Sequence, residues 1–139
     1  MKGIHVYSRK QMLELEPRPA VVISIAKPGE RINLDKWENV HYFDFDDIEE
    51  REAALDPMLR PFTMDMAREI VQIMEDHKAQ DIDFIVHCAA GVSRSMAVGV
   101  FIAEETRRDL ATHAIGTTEF ANGLVLRLLH RVVWLSEGE

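Results

Sequence analysis

The sequence predicts an α/β fold, with a central, mostly parallel sheet of four to five strands flanked by helices. Short apolar runs alternate along the chain with longer segments of helical periodicity, which is the order typical of a parallel sheet. The chain has 139 residues, of which 47% are hydrophobic, enough for one core. Because it contains no repeat, low-complexity segment or linker, we expect one domain over residues 1–139.

Four short apolar runs, each bounded by turn residues, predict the buried strands of the sheet. The second run is the clearest, because Lys27, Pro28 and Gly29 end it at a turn. The predicted strands are residues 4–7, 20–26, 40–45 and 82–87.

Four segments between and after these strands predict helices. The second is the best defined, because Thr63 is a suitable N-cap and Met66, Ile70 and Ile73 recur on one face. The last carries a broad apolar stripe, which predicts packing against the core. The predicted helices are residues 8–15, 63–79, 94–108 and 118–135.

Residues 46–62 are the longest segment predicted to be irregular, and two X-Pro turns, Asp56-Pro57 and Arg60-Pro61, lie within it. Irregular segments of this length in a compact domain are often functional lids. We therefore expect a mobile flap here.

Composition excludes some partners and favours one compartment. The 24 acidic and 16 basic residues give a net charge of -8, which argues against a nucleic-acid or anionic membrane surface. A single cysteine cannot form an intramolecular disulfide and favours a reducing compartment, so we expect a cytoplasmic protein. Neither a signal peptide nor a membrane anchor is expected, because no long charge-free apolar stretch occurs.

The segment from His87 to Ser95 has the composition of an anion site. Cys88 follows a predicted strand directly and Arg94 opens the next helix, so the residues between them turn at the carboxyl end of the sheet, where α/β proteins bind ligands. A helix N-terminus offers free N–H groups to an anion, and Gly91 allows the backbone to curl around it. Arg94 can present a planar fork to two phosphate oxygens. The same surroundings favour the reactive thiolate of Cys88.

The pattern His-Cys-x5-Arg-Ser after a strand resembles the signature of the protein tyrosine phosphatase superfamily, and the compact length resembles its dual-specificity branch. The resemblance implies a cysteine phosphatase fold in which Cys88 attacks phosphorus and Arg94 binds the transferred group. It further implies that Ser95 stabilises the departing thiolate and that His87 supports Cys88. The remaining phosphate-binding groups would be the backbone N–H groups of Ala89, Ala90, Gly91, Val92 and Ser93.

Hydrolysis by a thiolate also needs a carboxylic acid that protonates the leaving oxygen and later activates water. The predicted strand 40–45 ends in Asp46-Asp47-Ile48, which resembles the acid loop of dual-specificity phosphatases. Asp47 is our first choice for the acid, and Asp46 and Asp56 are the alternatives.

The expected activity is therefore cysteine-dependent hydrolysis of a phosphomonoester through a cysteinyl-phosphate, with no cofactor and no metal. The substrate is expected to be a phosphorylated protein or a small phosphomonoester. Ala89, Ala90 and Val92 occupy positions where phosphoinositide-selective relatives tend to carry lysine. This favours protein phosphotyrosine, alone or with phosphoserine and phosphothreonine, over a lipid.

Two other functions are compatible with the sequence. The chain could be a module that binds phosphorylated partners without hydrolysing them. Alternatively, Asp44-Phe45-Asp46 resembles the nucleophile motif of haloacid dehalogenase phosphatases, which would make Asp44 a Mg²⁺-dependent nucleophile. No zinc site is expected, and surface or capping roles are predicted for five histidines that lack ligand spacing: His5, His41, His77, His113 and His130.

Overall fold

The computed structural model describes residues 2–137, which form one five-stranded sheet and five helices. The strands are β1 (Ile4–Ser8), β2 (Ala20–Ala26), β3 (Val40–Asp44), β4 (Asp83–Cys88) and β5 (Leu110–Thr112). The helices are α1 (Arg9–Glu14), α2 (Glu50–Leu55), α3 (Met64–His77), α4 (Arg94–Thr106) and α5 (Gly123–Glu137). No helix within residues 2–137 combines the length and the apolar character needed to cross a bilayer.

The sheet has the order β3-β2-β4-β1-β5, and every pair of neighbours is parallel. This confirms the predicted α/β architecture. Strand β4 lies at the centre between β1 and β2, with Cys88 beside Ser8 and His87 beside Ser24. All six residues of β4 are buried, as expected for a strand covered on both faces. The carboxyl end of β4 therefore opens at the middle of one sheet edge.

Different elements cover the two faces of the sheet. Helices α3, α4 and α5 pack on one face, where Phe84, Phe101 and Leu129 lie in the larger core cluster. On the other face, α1 contributes Met12 and the connection between β2 and β3 contributes Trp37. The sheet is thus enclosed on both sides except along its edges, where the strand ends and connecting loops remain accessible.

Side-chain caps determine where two of the helices begin. Ser8 caps α1, because its Oγ accepts a hydrogen bond from Gln11 N and its backbone N donates one to Gln11 Oε1. Thr63 caps α3 by accepting from Met66 N at 3.2 Å, which confirms the predicted N-cap. Helix α4 begins at Arg94, as predicted.

The last helix begins at Gly123, so the prediction of a start at residue 118 is wrong. Asn122 provides the cap, because its Oδ1 accepts from Val125 N at 3.0 Å. Thr117 and Thr118 instead accept bonds within short turns, from Glu119 N and Ala121 N. The three-residue strand β5 was not predicted either, because so short a segment carries no periodicity.

The flap, residues 46–62, is not wholly irregular as predicted, because α2 lies within it. Glu52 at the third helical position accepts from Glu49 N at 3.0 Å, half of a capping box, and acidic residues occupy the first turn. None of the residues of α2 is buried. Its apolar Leu55 is 81% exposed, so the core contributes little to holding this helix in place.

Candidate active site

Cys88, the last residue of β4, lies among donors at the centre of the sheet edge. Its Sγ is 3.0 Å from Ser95 Oγ, and Gly91 N and Ser95 N donate to it at 3.3 and 3.5 Å. The side chain is buried together with Ser95. Donors on several sides of one sulfur are suited to hold negative charge that develops on it.

The turn that follows, the phosphate loop (residues 88–95), requires glycine at position 91. Gly91 has φ of +74°, and a Cβ there would lie 2.7 Å from the carbonyl group of Tyr7 and from Ser8 N. The other anchor is the bond from Arg9 N to Ala89 O at 3.0 Å. The close packing at Gly91 and this hydrogen bond hold the loop against the end of β1.

Arg94 is only 5% exposed, and one nitrogen of its guanidinium already has a hydrogen-bond partner. Its Nη1 donates to Phe45 O at 2.9 Å, whereas its buried Nε has no partner in the described residues. A buried charged donor without a partner is costly. A phosphate oxygen bound at this edge of the guanidinium would satisfy it, so the residue is suited to hold an anion.

His87 lies behind Cys88 and is buried. Its Nε2 is 2.7 Å from Ser24 Oγ, and its Nδ1 is 3.4 Å from Cys88 O. Burial, reinforced by the charges of Arg9 and Arg94, lowers the pKa of His87 to about 4. The imidazole is therefore neutral at neutral pH and serves as a structural partner of β2 and β4.

Asp47 is the predicted acid that contacts the phosphate loop directly. Its Oδ1 accepts from Ser93 Oγ at 2.7 Å and from Asn122 Nδ2 at 2.8 Å. The structure thus brings together residues that are 46 and 75 positions apart in the chain. The side chain of Asp47 is otherwise exposed, and Oδ2 has no hydrogen bond within residues 2–137.

The two alternative acids make their hydrogen bonds within the flap. Asp46 Oδ2 accepts from Arg60 N at 2.8 Å, and Asp46 N donates to Arg60 O, which closes the base of the flap. Asp56 ends α2, where its Oδ1 accepts from Met58 N. Neither carboxylate has a hydrogen bond to the phosphate loop among the described residues.

Asn122 belongs to this site, although sequence reasoning did not select it. Beyond capping α5, its Nδ2 donates to Asp47 Oδ1 and to Ile48 O, and its backbone N donates to Ser93 O. The residue is buried and joins the flap, the phosphate loop and α5. An asparagine directly before the apolar stripe of a helix was the available signal, because asparagine is a preferred N-cap.

Asp44 and the histidines make other contacts. Asp44 Oδ2 accepts from Arg31 at 3.1 Å, and no group of three or more His, Cys, Asp or Glu side chains within residues 2–137 has a metal-binding arrangement. Two of the five histidines that were predicted to have surface or capping roles lie side by side, which the sequence did not indicate. His5 Nδ1 lies 3.0 Å from His113 Nε2, because β1 and β5 are neighbours in the sheet.

Comparison with solved structures identifies the fold. The human tyrosine phosphatase-like serine/threonine/tyrosine-interacting protein is similar over 94% of this chain and 87% of its own, with a TM-score of 0.56 and 15% identity. Tk-PTP in its active form is similar over 94% and 80%, with a TM-score of 0.52 and 16% identity. No protein-family model and no curated protein matches the sequence. The predicted cysteine phosphatase fold is confirmed.

Proposed function

We propose that this chain is a cysteine-dependent phosphomonoester hydrolase of the protein-tyrosine or dual-specificity type, working as one phosphatase domain over residues 1–139. The observation that carries the proposal is the environment of Cys88 Sγ, which has Ser95 Oγ at 3.0 Å and two backbone N–H donors within 3.5 Å. A sulfur in a merely structural role needs none of these donors. Arg94, with its unpartnered Nε, supplies the charge that a phosphoryl group requires.

In the first step, the Cys88 thiolate attacks phosphorus and the bond to the leaving oxygen breaks. The loop N–H groups and Arg94 stabilise the charge on the equatorial oxygens, which is the main source of catalysis in phosphoryl transfer. Asp47 protonates the leaving oxygen. Because two donors occupy Asp47 Oδ1, Oδ2 is the atom free to carry this proton.

In the second step, water attacks the cysteinyl-phosphate and the sulfur leaves. Asp47, now a carboxylate, takes the proton from this water. The Ser95 hydroxyl, 3.0 Å from Sγ, donates to the thiolate as it reforms. All the groups required are side chains and backbone amides of this chain.

The proposed substrate is a phosphorylated protein. The phosphate loop has exposed Ala89 and Ala90 at its rim, so within the loop itself no lysine is offered to a polyanionic inositol ring. A protein phosphotyrosine, alone or with phosphoserine and phosphothreonine, is therefore the preferred class.

A second candidate function is binding of phosphorylated partners without hydrolysis. It is favoured by one observation, that a structural neighbour is described as a phosphatase-like interacting protein. The other neighbour is a phosphatase in its active form. Turnover separates the two functions directly, because a binding module retains affinity for a phosphopeptide but releases no phosphate.

The test is hydrolysis of p-nitrophenyl phosphate in the presence of EDTA by the wild-type chain, Cys88→Ser and Ser95→Ala. We expect activity in the wild type, none above background in Cys88→Ser, and slower breakdown of the intermediate in Ser95→Ala. Activity that survives Cys88→Ser would overturn the thiolate mechanism. Activity that requires Mg²⁺ and disappears in Asp44→Asn would instead favour the haloacid dehalogenase chemistry.

A further inference from the structure

The two strands that flank β4 each end in a cation. Arg9 follows β1 and Lys27 follows β2, so these residues stand on either side of Cys88 and Ala89 along the sheet edge. The next strand along, β3, ends instead in Asp44, with Asp46 and Asp47 just beyond it. The edge is thus basic on both sides of the nucleophile and acidic farther out, towards the flap.

Arg9 is held close to the phosphate loop by its own backbone. Its N–H donates to Ala89 O at 3.0 Å, independently of the side chain. Burial is the main cause of the low pKa of His87, and the charge of Arg9 lowers it further, together with that of Arg94. The guanidinium of Arg9 therefore contributes to the electrostatic potential at the base of the loop.

Two depressions meet at Arg9 and Ala89. The narrower one, of about 20 Å³, also reaches Lys27, Glu30 and His87. The broader one, of about 540 Å³, runs along α1 past Lys10, Leu13 and Glu14. A ligand that extends from the phosphate loop towards α1 would pass over Arg9.

The cations in these depressions lack ion-pair partners. Within residues 2–137, Arg9, Lys10 and Lys27 have no carboxylate within 4.0 Å, although Glu14 and Glu30 line the same depressions.

By contrast, two arginines on the acidic side are paired: Arg31 with Asp44, and Arg127 with Glu49. Arg51 and Arg60 of the flap have no carboxylate within 4.0 Å among the described residues either, but they lie among six acidic residues, whereas Arg9 and Lys27 flank Cys88.

We propose that Arg9 and Lys27 form a second anion subsite, which selects substrates that carry a carboxylate or a second phosphate beside the phosphorylated side chain. This inference rests on the proposed function and specifies its substrate class. The flap carries six acidic and two basic residues and would repel the same group, so the subsite also orients the substrate, with its second anion away from the flap. Because both cations are exposed, the effect is moderate and weakens with salt.

The test compares three phosphotyrosine peptides, in which the neighbouring residues are alanines, aspartates or a second phosphotyrosine. We expect kcat/KM for one or both of the anionic peptides to exceed that for the alanine peptide by about tenfold at low salt. The two anionic peptides distinguish a carboxylate from a phosphate as the preferred second group. Equal kcat/KM for all three peptides would overturn the subsite.

Matched variants identify the residues responsible. Arg9→Gln/Lys27→Gln should abolish the preference, measured as the ratio of kcat/KM for an anionic peptide to that for the alanine peptide, so that a change in the basal rate cancels. Lys27→Gln alone should reduce this ratio while p-nitrophenyl phosphate hydrolysis stays within about twofold, because that substrate has no second anion. Lys2→Gln/Lys36→Gln removes the same charge near the amino ends of the strands and should keep the preference. Glu30→Gln should increase it. A preference that persists in Arg9→Gln/Lys27→Gln would overturn the assignment.

Failure of the subsite and failure of the proposed activity give different results. If p-nitrophenyl phosphate is not hydrolysed, the hydrolase proposal fails alone. The subsite is then tested by the affinity of the Cys88→Ser variant for the same three peptides, measured by fluorescence anisotropy. Equal affinities would overturn it, and tighter binding of an anionic peptide that is lost in Arg9→Gln/Lys27→Gln would support it.

Discussion

The phosphate loop and the flap meet at Asp47, yet they are held in place in different ways. The phosphate loop is attached to the central strand of the sheet, and its Cys88, Arg94 and Ser95 are buried. The flap is mostly exposed apart from Ile48 and Phe62, and its long-range hydrogen bonds are chiefly those of Asp47 and Glu49. The anion site is therefore part of the packed core, whereas the hydrogen bonds that position the acid can be removed by a single substitution.

The largest effect that this comparison predicts is that of Arg94→Lys. Lysine cannot present a fork to two oxygens, nor reach Phe45 O with the same geometry, so kcat/KM for p-nitrophenyl phosphate should fall about 10³-fold. Steady-state kinetics measures it, and thermal unfolding checks that the fold is retained. A loss of less than about tenfold would mean that the guanidinium does not bind the transferred group.

Asp47→Ala tests the flap itself. With an alkyl phosphate, whose leaving group needs a proton, kcat should fall by about 10² to 10³-fold, and with p-nitrophenyl phosphate much less. Affinity for phosphate should be unchanged, because Asp47 acts only in the transition state. Asp46→Ala and Asp56→Ala are the controls. If either gives this loss instead, the acid has been misassigned.

The buried strand behind the phosphate loop predicts a pH dependence of stability. Because the pKa of His87 is about 4 when folded and about 6.5 when unfolded, the unfolded chain gains a proton first as the pH falls. Stability is complete above pH 6.5 and declines towards pH 4. At pH 5 the loss is about 2 kcal/mol.

Urea unfolding at pH 7 and pH 5 measures this effect in the wild type and in His87→Gln. The glutamine variant should lose about 2 kcal/mol less between the two pH values. The pKa values of His41 and His113 are also lowered by burial, and both residues remain in the variant, so their contribution cancels. Equal losses in both proteins would contradict a buried neutral His87.

Asn122→Ser sharpens the comparison, because serine can still cap α5 but is too short to hold Asp47. We expect kcat with an alkyl phosphate to fall about tenfold, with a smaller effect on p-nitrophenyl phosphate. The melting temperature reports the cap separately. An unchanged leaving-group dependence would show that Ser93 alone positions the acid.

The smallest effect on activity and stability is expected from the exposed ion pair between Arg127 and Glu49 of the flap. Arg127 Nη2 donates to Glu49 Oε2 at 2.8 Å, but both side chains are largely exposed. Arg127→Gln should change the free energy of unfolding by less than about 0.5 kcal/mol and kcat by less than about twofold. A loss as large as that of Asn122→Ser would mean that the flap is held from its outer edge.

The difference between the phosphate loop and the flap also determines how much of the site could be predicted from the sequence. Cys88, Gly91, Arg94 and Ser95 lie within eight residues, so their spacing and the flanking strand and helix specify the loop locally. The contact of Asp47 with Asn122 joins residues 75 positions apart, and the sequence around Asn122 indicates only a helix N-cap, not this contact. The apolar runs predicted four strands, whereas β5 needs β1 beside it to exist as a strand. The pairing of His5 with His113 depends on that same long-range contact.

The central position of β4 also has a consequence for the order of folding. Its two neighbours, β1 and β2, come from the amino-terminal part of the chain, and the hydrogen bond beside the start of the β1–β4 pair, Gly3 N to Asp83, spans 80 residues. Parallel pairs of this kind close late, because the entropy of a long loop must be lost before they form. We therefore expect the phosphate loop around Cys88 to be among the last parts of the molecule to assemble. Protection of its thiol from alkylation during refolding would record the completion of the native sheet.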